Sequence, residues 1–185
     1  MAYGAENPQD RSAALYVLGW AEACRGRVDD ARAHAREGAR LSREIDDQLF
    51  WAQNEAVLGF LALSLGDLGA ADRHLRPLWP AVTALGYGEP SVWPVLPNEI
   101  EALIGLGEVE PAAAFLAELE ERGRALDTPW ALSQAARCRG LLLAATGAPQ
   151  EALTAFAAAL AEHRRMPGAF ERARTLSRRA APCGA

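Results

Sequence analysis

Gly66-Asp67-Leu68-Gly69-Ala70-Ala71 decides the reading of this chain, because a glycine followed five residues later by an alanine recurs along it. The other copies are Gly26 with Ala31, Gly107 with Ala112 and Gly147 with Ala152, so that the glycines are 40, 41 and 40 residues apart. One such pair carries no weight in an alanine-rich chain. Four at a near-constant pitch, each between two helix-like runs, mark a helical repeat array. Each glycine follows an apolar run and can take the left-handed conformation that ends a helix without a Cβ penalty. Polar or acidic residues come next (Asp29 and Asp30, Asp67, Glu108, Gln150 and Glu151), where the positive end of the following helix favours them. The alanine keeps the helix crossing small, so that the two backbones can approach closely.

The sequence is 185 residues long and 50% apolar, enough for a sizeable core that runs along a stack of helix pairs. One domain suffices. The predicted architecture is all-α, a right-handed α-solenoid of four helix pairs plus a terminal helix. Its divisions are a flexible lead-in at 1–11, pairs at about 12–46, 47–88, 93–127 and 128–165, and a partial fifth unit with a tail at 166–185. Ser12 is the expected N-cap of the first helix, and Thr128 followed by Pro129 another helix start. Pro77 and Pro80 fall inside a helical run and predict a bend near Trp79. The segment 86–97 reads as the longest irregular connection, with the next helix starting at about Pro97 or Asn98. An array ending on half a unit reads as a piece of something longer.

The net charge of −5 argues against a polyanion-binding surface spread over the molecule. All 19 basic residues are arginine. Cys24, Cys138 and Cys183 are odd in number and far apart, as expected of reduced thiols in a cytoplasmic protein. There is no secretory leader pattern and no apolar run of membrane-spanning length. His34 and His74 are one repeat apart, but no further ligands at metal spacing accompany them, so surface histidines are expected. Asp46 with Asp47, and Glu118, Glu120 and Glu121, fall on turns or solvated helix faces rather than in an acid–base constellation. Arg164, Arg165, Arg172, Arg174, Arg178 and Arg179 form a local basic cluster, read as a helix-end face or linker. The residues therefore point to non-covalent recognition, with no enzyme activity, cofactor or metal.

Each unit resembles a tetratricopeptide repeat (TPR) with lengthened helices. Gly19, Gly59 and Gly140 match that repeat's first-helix glycine, Ala31, Ala71, Ala112 and Ala152 its second-helix alanine, and Phe156 its aromatic. The third unit departs from the pattern, with Ile100 at the glycine position. Three longer phrases, Pro97-Asn98-Glu99-Ile100-Glu101-Ala102-Leu103, Trp130 to Gly140 (WALSQAARCRG) and Phe170 to Leu176 (FERARTL), resemble the repeat region of the large ATP-binding LuxR-type transcriptional regulators of actinobacteria. That resemblance implies a sensor and self-association region, placed between an ATPase and a helix-turn-helix domain, that takes a small-molecule inducer or a protein or peptide partner. Neither flanking activity is expected of these residues: there is no Gly-x-x-x-x-Gly-Lys-Ser/Thr, the chain has no lysine, and no DNA-reading or membrane-binding module is present. The repeat likeness also implies that first helices line a concave groove. Mapped onto this chain, its groove positions are Tyr16, Trp20, Gln53, Phe60, Glu101, Gln134 and Arg137. A rival reading of the same rings places Tyr16, Trp20 and Phe60 between helices, and a rival reading of the whole is a free-standing TPR adaptor unrelated to transcription.

Overall fold

A helix followed by a left-handed residue and then a second helix is the local unit from which the molecule is made. The computed structural model describes residues 7–90, 94–166 and 168–180, and these form helices with no strand among the described residues. In chain order the helices are α1 (Pro8–Cys24), α2 (Val28–Glu44), α3 (Gln48–Ser64), α4 (Leu68–Leu75), α5 (Leu78–Ala84), α6 (Val95–Leu106), α7 (Val109–Ala125), α8 (Pro129–Ala145), α9 (Pro149–Glu162) and α10 (Ala169–Ala180). They fall into two compact units that divide after Tyr87. In the first, α1 packs on α2 and α3, α2 on α3, and α3 on α4 and α5. In the second, α6 packs on α7 and α8, α7 on α8, α8 on α9, and α9 on α10.

The turn glycines do what their positions require. Gly26, Gly66, Gly107 and Gly147 have φ between 75° and 83°. In each case the next residue's N–H reaches back to close the helix, as in Arg27 N to Glu22 O at 2.9 Å and Asp67 N to Ala62 O at 3.0 Å. The turns between pairs use the same device at Asp46 (φ 55°), Gly86 (φ 86°) and Asp127 (φ 43°). Their closing bonds run from Asp47 N to Ser42 O, Tyr87 N to Val82 O and Thr128 N to Gly123 O. This second series, again 40 and 41 residues apart, escapes a reading based on glycine alone, because two of its three members are aspartates. Asp67 and Asp47 then cap the following helices, accepting from Ala70 N at 2.9 Å and Phe50 N at 3.0 Å.

Several expected boundaries move. Helix α1 starts at Pro8, inside the expected lead-in, because Asn7 accepts from Gln9 N and Pro8 fits the first helical position. Residues 1–6 lie outside the described residues. Ser12 is not a cap; it is buried in α1, with its hydroxyl on Gly38 O (2.9 Å) and Ser42 Oγ (2.6 Å). Thr128 makes no side-chain capping bond among the described residues, so Pro129 alone carries that helix start. The Pro77 region does not bend one helix but splits it, ending α4 at Leu75 and restarting at Leu78. Helix α6 begins at Val95, two residues ahead of expectation, with Pro97 in its first turn, where no intrahelical donor is required.

The repeat alanines sit where two helices of a pair cross: Ala31, Ala71 and Ala112 are fully buried and Ala152 is 2% exposed. Replacing Ala112 by leucine should therefore destabilise the fold by about 1–3 kcal/mol through overpacking. The exposed neighbour Ala113 should tolerate the same change within about 0.5 kcal/mol. Urea unfolding of the two variants measures the difference.

Candidate functional site

In the first unit, the rings expected in a groove lie against the core. Tyr16 and Trp20 from α1 are half-buried and pack with Ala23 and Leu58 on the buried cluster of Ala31, Ala35, Val57 and Leu61. Phe60 on α3 is 3% exposed, its ring 5.0 Å from that of Trp20. Phe60 is thus a core residue, as the rival reading of the rings has it, because the glycine-lined crossings bring α1 and α3 close enough to enclose it. Burial also raises the Tyr16 phenol above its ordinary range. Gln53 is half-buried, and its Oε1 is buried with no hydrogen-bond partner among the described residues.

Polar groups in this unit are gathered rather than scattered. Asn54 on α3 donates to Phe50 O and to Ser12 Oγ, tying α1, α2 and α3 through the Ser12 and Ser42 hydroxyls. Gly38 leaves the space that the Asn54 amide fills. Glu55 is reached by Arg43 Nη2 and by His74 Nδ1, both at 2.7 Å. Burial pushes its carboxyl up, but hydrogen bonding and charge from His74 and Arg43 outweigh this and leave it below the usual range. Neither repeat histidine is a plain surface residue: both are half-buried and His74 is engaged by Glu55.

The second unit holds a more tightly enclosed cluster. Glu101 on α6 accepts from Arg137 Nη1 at 2.6 Å and from Arg174 Nη2 at 3.0 Å, and its other oxygen accepts from Arg178. Arg137 on α8 is fully buried, and its remaining donors reach Gln134 Oε1 at 3.0 and 3.1 Å. Arg174 also bonds Asn98 Oδ1 at 3.0 Å. Glu101, Gln134 and Arg137, three of the residues placed on a groove from sequence, therefore do meet, but as a buried network spanning α6, α8 and α10. Of these three only Glu101 retains a little exposure, at 8%, while the Arg178 side chain on the network's rim is half exposed. Arg174 and Arg178, assigned from sequence to an outlying basic face, complete it; their four-residue spacing puts both on one side of α10.

The electrostatics follow from the enclosure. Burial alone would push the Glu101 carboxyl up, yet the guanidinium groups of Arg137, Arg174 and Arg178 outweigh it and hold it at about 2. Beside them the buried Cys138 thiol is pushed up to about 11 by burial, and donates weakly to Pro97 O. It is a protonated packing residue, not a nucleophile. Cys183 lies outside the described residues.

Elsewhere, Glu118 pairs with Arg122, and Glu120 with Arg124 and Arg139. Asp46 accepts from Gln48, and Asp47 serves as a cap. Among the described residues no group of three or more His, Cys, Asp or Glu side chains could hold a metal ion, and no helix is long and apolar enough to cross a membrane. Compared with models of protein families and with curated proteins, the chain matches none.

The Glu101 carboxyl binds its proton less readily folded than unfolded, where its ordinary value is 4.5. The folded state is thereby favoured above pH 4.5, and that advantage, on the order of 3 kcal/mol, is lost as pH falls toward 2. Glu101→Gln should remove this part of the acid dependence while costing stability at pH 7, since Arg137 then stays buried without a counter-charge. Urea midpoints of the two proteins between pH 7 and pH 2.5 provide the comparison.

Proposed function

We propose that this chain is a non-catalytic helical-repeat sensor or protein-interaction domain. Its pairs stack in the right-handed manner of tetratricopeptide repeats, and it is the repeat region of a LuxR-type transcriptional regulator. The observation that carries the reading is the equivalence of the four crossings: Ala31, Ala71, Ala112 and Ala152, each at most 2% exposed, each five residues after a left-handed glycine. Within each unit the first helices lie side by side, α1 on α3 and α6 on α8, and such adjacent faces suit recognition of a partner or an inducer better than enclosure of a reacting centre. The resemblance of three phrases to the repeat region of LuxR-type regulators supports the choice of family.

On this reading the first unit offers Tyr16, Trp20 and Gln53 to a ligand, since these retain solvent access whereas Phe60 does not. The second offers the edge of Glu101; Gln134 and Arg137 act from beneath by holding that carboxylate in place. Self-association would use the same kind of face.

A thermal-shift screen against small metabolites and peptides tests the proposal. A compound binding the folded state at a hundred times its Kd should raise Tm by roughly 5 °C or more. Gln53→Ala or Tyr16→Phe should shrink that rise for a ligand held by the first unit. Sequencing the reading frame on both sides supplies the second arm. ATPase and helix-turn-helix coding sequence in frame supports the regulator, whereas stop codons bounding this segment favour a free-standing adaptor.

A further inference from the structure

Helix α10 packs on α9 and is tied to α6 by charged contacts. Among its described side chains the buried one is Thr175, whose hydroxyl lies 3.0 Å from His163 Nε2 and donates to Glu171 O. Its larger apolar side chains, Phe170 and Leu176, are 38% and 44% exposed. What fixes it to the rest of the unit is a pair of arginines four residues apart, Arg174 on Asn98 and Glu101, and Arg178 on Glu101. Beneath them, Glu101 is already oriented by Arg137, which Gln134 holds in turn. The carboxylate is thus preset by α6 and α8 and accepts guanidinium groups from a helix whose large apolar side chains stay partly exposed.

We propose that the face of α6 and α8 centred on Glu101 and Asn98 is a docking site for a helix carrying two arginines four residues apart, and that α10 occupies it in cis. This deepens the recognition reading for the second unit and rests on it. Helix α10 is then an internal competitor: a partner helix of the same Arg-x-x-x-Arg chemistry gains the site only when α10 leaves. Because ion pairs contribute to holding α10, its departure is eased by salt, which screens the charges released. The contacts among α7, α8 and α9 are built around Leu116, Leu119, Phe156 and the repeat alanines, with the Arg139–Glu120 pair at their edge, and so depend on salt less than α10 does.

The test uses the full chain and a synthetic, fluorescein-labelled peptide of residues 168–180. In 50 mM NaCl the peptide should bind the Arg174→Gln/Arg178→Gln double variant, whose cis helix no longer competes, at least about tenfold more tightly than wild type. Adding Glu101→Gln should abolish binding, as should replacing both peptide arginines by glutamine. Equal affinity for wild type and double variant, no binding to a folded double variant, or binding that survives Glu101→Gln overturns the inference. Hydrogen exchange on wild type decides independently of whether the variants fold. Amides of 169–180 should exchange at least about threefold faster in 1 M than in 0.05 M NaCl, with a clearly smaller change at 129–145. Equal salt responses in the two segments overturn the charge-held helix. Failure of the peptide to bind while a metabolite still shifts Tm through Gln53 would sink this inference and leave the recognition reading of the first unit standing.

Discussion

The close approach of the two helices in a pair is the constraint on which everything else in this protein depends. At Gly59 and Gly140 of the first helices, the side chain sixteen residues later fills the vacant volume. A Cβ added at Gly140 would lie 2.7–2.9 Å from three ring atoms of Phe156, and one at Gly59 would meet the Leu75 side chain. At Gly19 the neighbours are the backbone of Ala31 and Ala35 themselves, at 3.4 and 3.5 Å. The third pair solves the same problem differently, with Ile100 at the glycine position and Leu116 sixteen residues on, both buried. Size is traded across the crossing at Gly59 and Gly140, whereas the first crossing sets small against small and the third large against large, and the pitch is preserved throughout.

Chain reversal supplies the second constraint. Gly26, Asp46, Gly66, Gly86, Gly107, Asp127 and Gly147 all take positive φ and follow one another every 20 or 21 residues. The alternate members, Gly26, Gly66, Gly107 and Gly147, are legible in the sequence because a glycine that closes an apolar helical run most often marks the left-handed end of that helix. Asp46 and Asp127 are not, since aspartate in a turn is as often a cap as a left-handed residue, and only the backbone distinguishes them. The same limit applies to Ser12. As a residue type ahead of an apolar run it reads as a cap, and nothing local reveals the Ser42 and Asn54 side chains that claim it from 30 and 42 positions away.

The polar cluster of the second unit shows how far the repeat likeness carries a reading. Glu101, Gln134 and Arg137 fall on positions that the tetratricopeptide likeness places on one face of the first helices, so that likeness implies their common side. It does not imply their burial, which depends on α10 bringing Arg174 and Arg178 over them. A buried carboxylate surrounded by guanidinium groups is costly to desolvate and is weak evidence of stability. It is strong evidence of fixed geometry, since Glu101 is satisfied only when α6, α8 and α10 are in one register. In the first unit the aromatic residues follow the opposite logic: apolar area rather than charge fixes Trp20 against Phe60, and the ring predicted to face a ligand becomes core.

The most direct test of the size trade at the crossing is a double-mutant cycle of Gly140→Ala and Phe156→Leu, read as unfolding free energy in urea. Steric opposition between Cβ and ring predicts that each single change destabilises. The double variant should then lose at least about 1 kcal/mol less than the sum of the two, because the smaller leucine admits the added methyl. Additivity of the two changes within about 0.5 kcal/mol would show that this crossing is not set by the glycine, and would contradict the packing rule from which the whole repeat is built.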